Sequence, residues 1–406
     1  MKRKTFFIVS FFVGCALLLS FLCFCQEKQN AGTPGENMPP SDAALTEEEA
    51  VRFAKTLEET LQNGDPAFFI RAIDWSTLTN RVLEGIPEEV RGNRFDRRYL
   101  IHLFSEKGGI AQSVAEKVKE GGTYHFLRVR KLDSRTIAAT FRLVDTQGGL
   151  DYHDLHLRRQ GENLIQIHEL YLYHFDETFS ETLRRTLVPD LYVDGKDDYG
   201  MMMSERILLL FKENQLLIQE FSKAVEEKNA ETALYLFSRL PRELQDQKTF
   251  QFWYLKAAQA HTDPNIYAFA LAELREKYLK ESWVDFLSLD YFFNHREYRQ
   301  ALECVDRIDK RVGGDPYLEN FRCWAFLNLR QFEKAEEHFQ LGLKQEPELI
   351  RDRSFQSLKY RLEHLPKGPF PENMPNVPVQ AAPPAEVPAS GVSVKPTPTN
   401  PFDLAK

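Results

Sequence analysis

Five histidines, His125, His153, His156, His168 and His174, fall in one short stretch of the chain with Asp151 and Glu169 among them. Imidazole is the side chain that titrates nearest neutrality, so such a group points first to metal binding or general acid–base catalysis. By residue type His125, His153, Asp151 and Glu169 are the acid–base candidates. Spacing limits what they can do. On a strand, His153 and His156 stand three apart and project from opposite faces, so they cannot chelate one ion together. His168 and His174 share a face but stand roughly 20 Å apart at about 3.3 Å per residue. No metal or other cofactor is therefore expected, and nothing selects one of the four candidates as catalytic. G-x-x-x-x-G-K-[ST], G-x-G-x-x-G, H-E-x-x-H and G-x-S-x-G are all absent from the sequence.

The elements that must position these residues are strands. Tyr124 to Leu132, Thr136 to Val144, Tyr152 to Arg158 and Leu164 to Tyr173 alternate in polarity. Turn residues separate them at Asp133-Ser134, Gln147-Gly148-Gly149 and Gln160-Gly161-Glu162-Asn163. Four strands joined by short turns form an antiparallel meander. Helices precede it. Thr46 and Glu49 form a capping box, and Val51, Phe53, Ala54, Leu57 and Leu61 follow at helical spacing. Asn63-Gly64-Asp65-Pro66 breaks that helix, and further helices are predicted from Ala67 to Ile73, Tyr99 to Phe104 and Ile110 to Val118. Residues 45–178 thus read as an α+β roll, helices packed on an antiparallel meander.

The opening helix ending in Leu61-Gln62-Asn63-Gly64-Asp65, the helices around Phe68 to Trp75, and the late strand Asn163 to Tyr171 resemble the nuclear transport factor 2-like superfamily over about Ala43 to Phe175. The resemblance implies a cone-shaped roll. Its members include isomerases and cyclases as well as non-catalytic binding and dimerising domains, so an acid or base inside the cone is implied only for the catalytic kind.

The second half has a different rhythm. Ala233, Ala268, Ala301 and Ala335 recur at spacings of 35, 33 and 34 residues, with apolar Phe237, Ala272, Val305 and Phe339 four positions on. A two-helix repeat of about 34 residues marks a helix-turn-helix repeat solenoid, all-α, over residues 206–364. Cys323, Ala325, Phe326, Phe332, Ala335, Phe339, Gly342 and Pro347 resemble the tetratricopeptide pattern, and Phe292, Tyr298, Ala301, Val305 and Ile308 carry the repeat before it. Arg322, Ser288, Glu319 and Asp285 depart from that pattern. The resemblance places Phe250, Trp253, Tyr254, Trp283, Phe286, Asp290, Tyr317, Asn320, Phe321 and Trp324 toward the concave surface. Of these, Trp253, Tyr254, Trp283, Phe286, Tyr317, Phe321 and Trp324 form the expected protein-binding groove, suited to an apolar or proline-rich segment. Packing of the same rings inside the chain is the alternative.

The remainder bounds the setting. Lys2, Arg3 and Lys4 precede an apolar run from Thr5 to Phe24, so residues 1–25 read as a signal peptide or membrane anchor. The body then lies on the exported side of a cell membrane, with cleavage and secretion as the second reading. A Gly- and Pro-containing spacer follows over 26–44, a connector spans 179–205, and 365–406 is a proline-rich tail expected to be disordered. A net charge of -8 excludes nucleic acid as a main partner, although Arg91, Arg94, Arg97 and Arg98 make a local basic patch. Asp194 to Asp198 reads as an acidic loop, because its spacing fails the EF-hand pattern. Cys304 and Cys323 read as small buried fillers. Together these features describe a membrane-associated exported adaptor that binds proteins or peptides through its repeats. A small-ligand binder or enzyme in the α+β domain is the alternative.

Overall fold

Helix α1 (Glu47–Gln62) starts where the capping box requires: Glu49 N–H donates to the Thr46 hydroxyl at 3.3 Å and Thr46 N–H donates to the Glu49 carboxylate at 3.0 Å. Ala50, Phe53, Ala54, Leu57 and Leu61 form its buried stripe. The computed structural model describes residues 44–84, 97–184 and 205–364, apart from 108, 147, 162–163, 279–280 and 282. The expected anchor, nearly all of the spacer, most of the connector with its acidic loop, the proline-rich tail, Arg91 and Arg94 lie outside the described residues. Among the described residues no helix is long and apolar enough to cross a membrane.

After α1 come α2 (Ala67–Ala72), α3 (Trp75–Val82), α4 (Arg97–Lys107) and α5 (Gly109–Lys119). Five antiparallel strands follow in sequential order: β1 (Thr123–Lys131), β2 (Ile137–Val144), β3 (Leu150–Gln160), β4 (Leu164–Leu172) and the two-residue β5 (Glu177–Thr178). The fifth strand carries no sequence signal, since two residues are too short for a period. Leu57, Phe69, Leu78, Phe104, Val114, Tyr124, Phe141, Leu155, Leu157, Ile167 and Leu170 fill the space between these helices and the inner face of the sheet. Ladder irregularities at Phe126/Arg128 and His156/Leu157 shift the register locally.

The C-terminal region is helical: α6 (Glu205–Glu213), α7 (Gln215–Glu226), α8 (Ala230–Arg239), α9 (Arg242–Gln245), α10 (Lys248–Ala260), α11 (Pro264–Lys277), α12 (Trp283–Asn294), α13 (Tyr298–Val312), α14 (Leu318–Asn328), α15 (Phe332–Gln345), a 3-10 turn over Pro347–Arg351, and α16 (Arg353–Glu363). Helices α7 and α8, α10 and α11, α12 and α13, and α14 and α15 pack as successive pairs. Ala233, Ala301 and Ala335 are fully buried, as close helix approach demands, whereas Ala268 is only half-buried. Helix α11 instead buries Ala270, Leu271 and Leu274, so the second pair is out of step with the others. Charge replaces apolar packing where the repeat pattern fails. Arg322 ties Asp306, Asp309 and Glu319 together at 2.7–3.1 Å, and the Ser288 hydroxyl donates to the Val284 carbonyl at 2.7 Å. Cys304 and Cys323 are buried free thiols.

All eight residues of β2 are buried, so this strand is covered on both faces. Ile137, Ala139, Phe141 and Leu143 face the helices, and the alternate Val144 joins a core shared with the helical region. That shared core includes Tyr152, Tyr173, Phe286, Leu289, Tyr317 and Phe321. The helical region therefore docks on the outer face of the sheet.

Candidate functional site

Arg142 lies at the centre of the contact between sheet and helices. Its side chain is 4 % exposed, and its guanidinium donates to Asp315 at 2.6 Å and to both oxygens of Glu346 at 3.0 and 3.2 Å. It also lies 4.7 Å above the centre of the Tyr317 ring. Asp315 accepts a further hydrogen bond from the Tyr152 hydroxyl at 2.6 Å and one from the Tyr317 N–H at 3.0 Å. Burial drives the Tyr152 phenol well above its ordinary pKa, and the charge of Asp315 adds to the shift. Arg128 extends the seam by donating to the carbonyls of Val312, Gly313 and Gly314. Gly313 and Gly314 have φ of 81° and 94°, which lets the chain turn sharply after α13 and present those carbonyls. Arg311 donates to Tyr171 and Asp176, and Lys248 donates to the Phe175 carbonyl.

Of the seven aromatics expected to line a groove, Trp253, Trp283, Phe286, Tyr317 and Phe321 are buried within the chain, as the alternative of internal packing has it, and Tyr254 and Trp324 are half-buried. Phe286 packs 6.1 Å from Tyr152 and 5.7 Å from His174, and Tyr317 lies under Arg142. Those two meet the sheet directly. Trp283, 1 % exposed, packs on Phe252 and Tyr278, and Phe252 in turn meets Phe175 of the sheet domain. Trp253 packs edge-on against Phe221 and Phe250, and Phe321 lies 5.8 Å from Phe293. The half-buried Tyr254 stacks on Phe237 at 4.3 Å, and the half-buried Trp324 lies under Arg361 at 4.2 Å. The physical reason is direct: rings too large to leave wet find partners in the neighbouring helices or on the sheet.

The histidines divide by face, with one correction: the ladder irregularity at His156/Leu157 makes His168 an extra residue beside His156, so it does not share a face with His174, which lies with His153 at Asp151. On the inner face the Tyr124 hydroxyl and His153 Nδ1 are 3.2 Å apart, His153 Nε2 lies 3.3 Å from Asp151, and His174 Nδ1 lies 3.9 Å from Asp151. Burial works to raise the Asp151 carboxyl, but the charges of His153 and His174 hold it below its usual value. Burial pushes His174 down to about 4 and Tyr124 well up. Beside them Lys117 pairs with Asp145 at 3.3 Å. This chain of groups can hold or pass a proton among its members. Phe141 stacks on Tyr124 at 4.6 Å, and Phe69 flanks it on the other side at 6.1 Å.

On the outer face His156 and His168 come within 6.1 Å, ring centre to ring centre. Arg81 bridges His168 Nδ1 at 2.8 Å and Glu169 at 2.7 Å, and Glu169 also accepts from the Ser180 N–H at 3.2 Å. Asp154 accepts from Arg130, from Thr140 at 2.6 Å and from Tyr173 at 3.0 Å. His125 stands apart, 2.7 Å from Glu58 and 3.5 Å from Glu346. Among the described residues no three His, Cys, Asp or Glu side chains converge as metal ligands. Arg97, from the expected basic patch, is engaged by Asn80 and Ser76.

Sequence reasoning missed Arg142, Asp315, Glu346 and Tyr152. Arg142 did carry a signal: a lone charge inside Ile137 to Val144, an otherwise uncharged run, must find a buried partner. No protein-family model matches the chain, and no curated protein or solved structure matches it either.

Proposed function

We propose that this chain is a non-catalytic adaptor, anchored at a membrane with its body exported, and that it holds partner proteins on a tetratricopeptide-like solenoid. The carrying observation is the seam: α10, α12 and the start of α14 bear on the sheet domain through Phe252, Phe286 and Tyr317. The aromatics left to a partner are then those on the other helices of the pairs. Tyr235 on α8 and Phe269 on α11 are each 62 % exposed, and exposed rings are efficient anchors for protein contacts. Burial of Ala301 and Ala335 one repeat apart, and of Ala233 two repeats before Ala301, supports the repeat reading. The α+β domain serves as a docked second module.

The test is crosslinking from native membranes with the full chain and with a Tyr235→Ser, Phe269→Ser variant that retains its helicity. Partners lost from the variant alone support the adaptor. An identical partner set in both, or catalytic turnover by the α+β domain, overturns it. A small ligand or substrate acting in the α+β domain is the alternative, favoured by the Tyr124, His153 and Asp151 chain. Replacing His153 with Phe would abolish such an activity and leave crosslinks untouched.

A further inference from the structure

We propose that the outer face of the sheet carries a carboxylate-binding site, built by Arg130, His156, Arg158 and His168. Register places the parts. Arg130 pairs with Ala138 across β1 and β2, Ala138 pairs with His156 across β2 and β3, and Arg158 lies two residues beyond His156 on the same face. His156 pairs with Glu169 of β4, and the extra residue at that irregularity is His168. Ala138, the register neighbour of Arg130 and His156, has no exposed surface, so a ligand would meet the polar ends of these side chains and not the strand beneath them.

His168 supplies the observation that points to a ligand. It is 6 % exposed, and Arg81 donates to its Nδ1 at 2.8 Å. A guanidinium can only donate, so Nδ1 accepts and the proton of the neutral ring must sit on Nε2. That Nε2–H is buried and has no hydrogen-bond partner. It projects from the side of the ring opposite Arg81. An orphaned buried donor costs free energy, and an incoming oxygen would relieve it.

Local charge chooses the ligand. Arg130 pairs with Asp154, Arg81 with Glu169, and Arg158 with Asp133 at 3.7 Å. The three cations are thus balanced by three anions, which disfavours a dianion such as phosphate. A monoanion with planar oxygens suits the remaining N–H groups of two half-exposed guanidiniums and one imidazole. Burial first, and then the charges of Arg158 and Arg81, hold His168 at about 3, and His156 is held at about 4. Both rings are therefore neutral donors near pH 7.

The full chain in detergent, with its histidines labelled by nitrogen-15, is titrated with acetate, with acetamide, with inorganic phosphate, and with a short peptide whose C-terminus is either free or amidated. A saturable shift of the His168 Nε2–H signal is expected with acetate or with the free peptide, at affinities around the millimolar range. Saturation by acetate identifies a small acid as the natural ligand class, and saturation by the free peptide alone identifies a chain end. His168→Phe keeps the ring and removes the donor, and should weaken binding by at least about tenfold, equivalent to about 1.4 kcal/mol. Arg158→Gln and Arg130→Gln should each weaken it too while far-UV circular dichroism is unchanged. Failure of both acetate and the free peptide to saturate overturns the proposal. Equal affinity for acetamide or phosphate, or undiminished binding in the Arg158→Gln and Arg130→Gln proteins, overturns it as well.

Discussion

Replacing Arg142 with Met removes the one cation that bridges Asp315 and Glu346 across the seam, while keeping an unbranched chain of similar reach. Asp315 has a side chain with no exposed surface, and it would retain only the Tyr152 hydroxyl and the Tyr317 N–H. Breaking a buried pair by deleting one partner typically costs about 3–5 kcal/mol, because the remaining charge stays desolvated. With a urea m-value near about 3 kcal/mol/M for a chain of this size, the unfolding midpoint should fall by about 1–1.7 M. Tryptophan fluorescence is weighted toward the helical region, which holds Trp253, Trp283 and Trp324 against Trp75 in the sheet domain, whereas circular dichroism sums the helices of both regions. The two probes should coincide in the wild type and separate in Arg142→Met as the docked surfaces part. Arg142→Lys should recover only part of the loss, because an ammonium cannot engage both oxygens of Glu346 and also reach Asp315 with fork geometry. Two results would refute the reasoning: a midpoint unchanged within error, or a double-mutant cycle of Arg142→Met with Asp315→Asn whose coupling is below about 0.5 kcal/mol.

Three further perturbations probe other parts of the fold. Thr46→Ala removes the capping hydroxyl of α1 and should cost about 1 kcal/mol, read as a lower melting temperature and faster amide exchange in the first turn. Stability should fall as pH drops from about 6.5 toward about 4, because unfolded histidines take up protons there while His156, His168 and His174 stay neutral in the fold. For His174 the shift from 6.5 to about 4 amounts to roughly 3 kcal/mol at most; a urea midpoint equal at pH 7 and pH 5 would count against it. Burial pushes the thiols of Cys304 and Cys323 up to about 12, so both should resist alkylation at neutral pH until the chain unfolds, as peptide mapping would register.

Much of the local structure was legible because it depends on local signals. The capping box at Thr46, the break at Asn63 to Pro66, and the four alternating strands each follow from residues within one turn or one pleat of each other. The separation of His153 from His156 followed from the two-residue period alone. Long-range pairing was not legible. Nothing in the spacing of His156 and His168 announces that a ladder irregularity brings their rings together, and nothing near Arg142 in sequence names Asp315 or Glu346 as its partners. The aromatics of α10, α12 and α14 illustrate the same limit. Their positions on one side of paired helices were readable, but whether that side meets solvent, a partner or the chain's own sheet depends on a contact between residues more than a hundred positions apart.

That contact constrains how the protein can work. Val144, Tyr152 and Tyr173 share a core with Phe286, Leu289 and Phe321, so separating the two regions would expose a broad apolar surface on both. Apolar burial alone would tolerate sliding, since it is non-directional. Arg142 held between Asp315 and Glu346, and Arg128 seated in the Val312 to Gly314 turn, accept only one relative placement. The sheet domain and the helical region are thus registered by directional bonds inside an apolar contact, which makes them one mechanical unit. For an adaptor, the consequence is that a partner held on the outward helices and a ligand bound on the outer sheet face would be fixed in a defined geometry to each other. The seam that covers Phe286 and Tyr317 is what would supply that geometry.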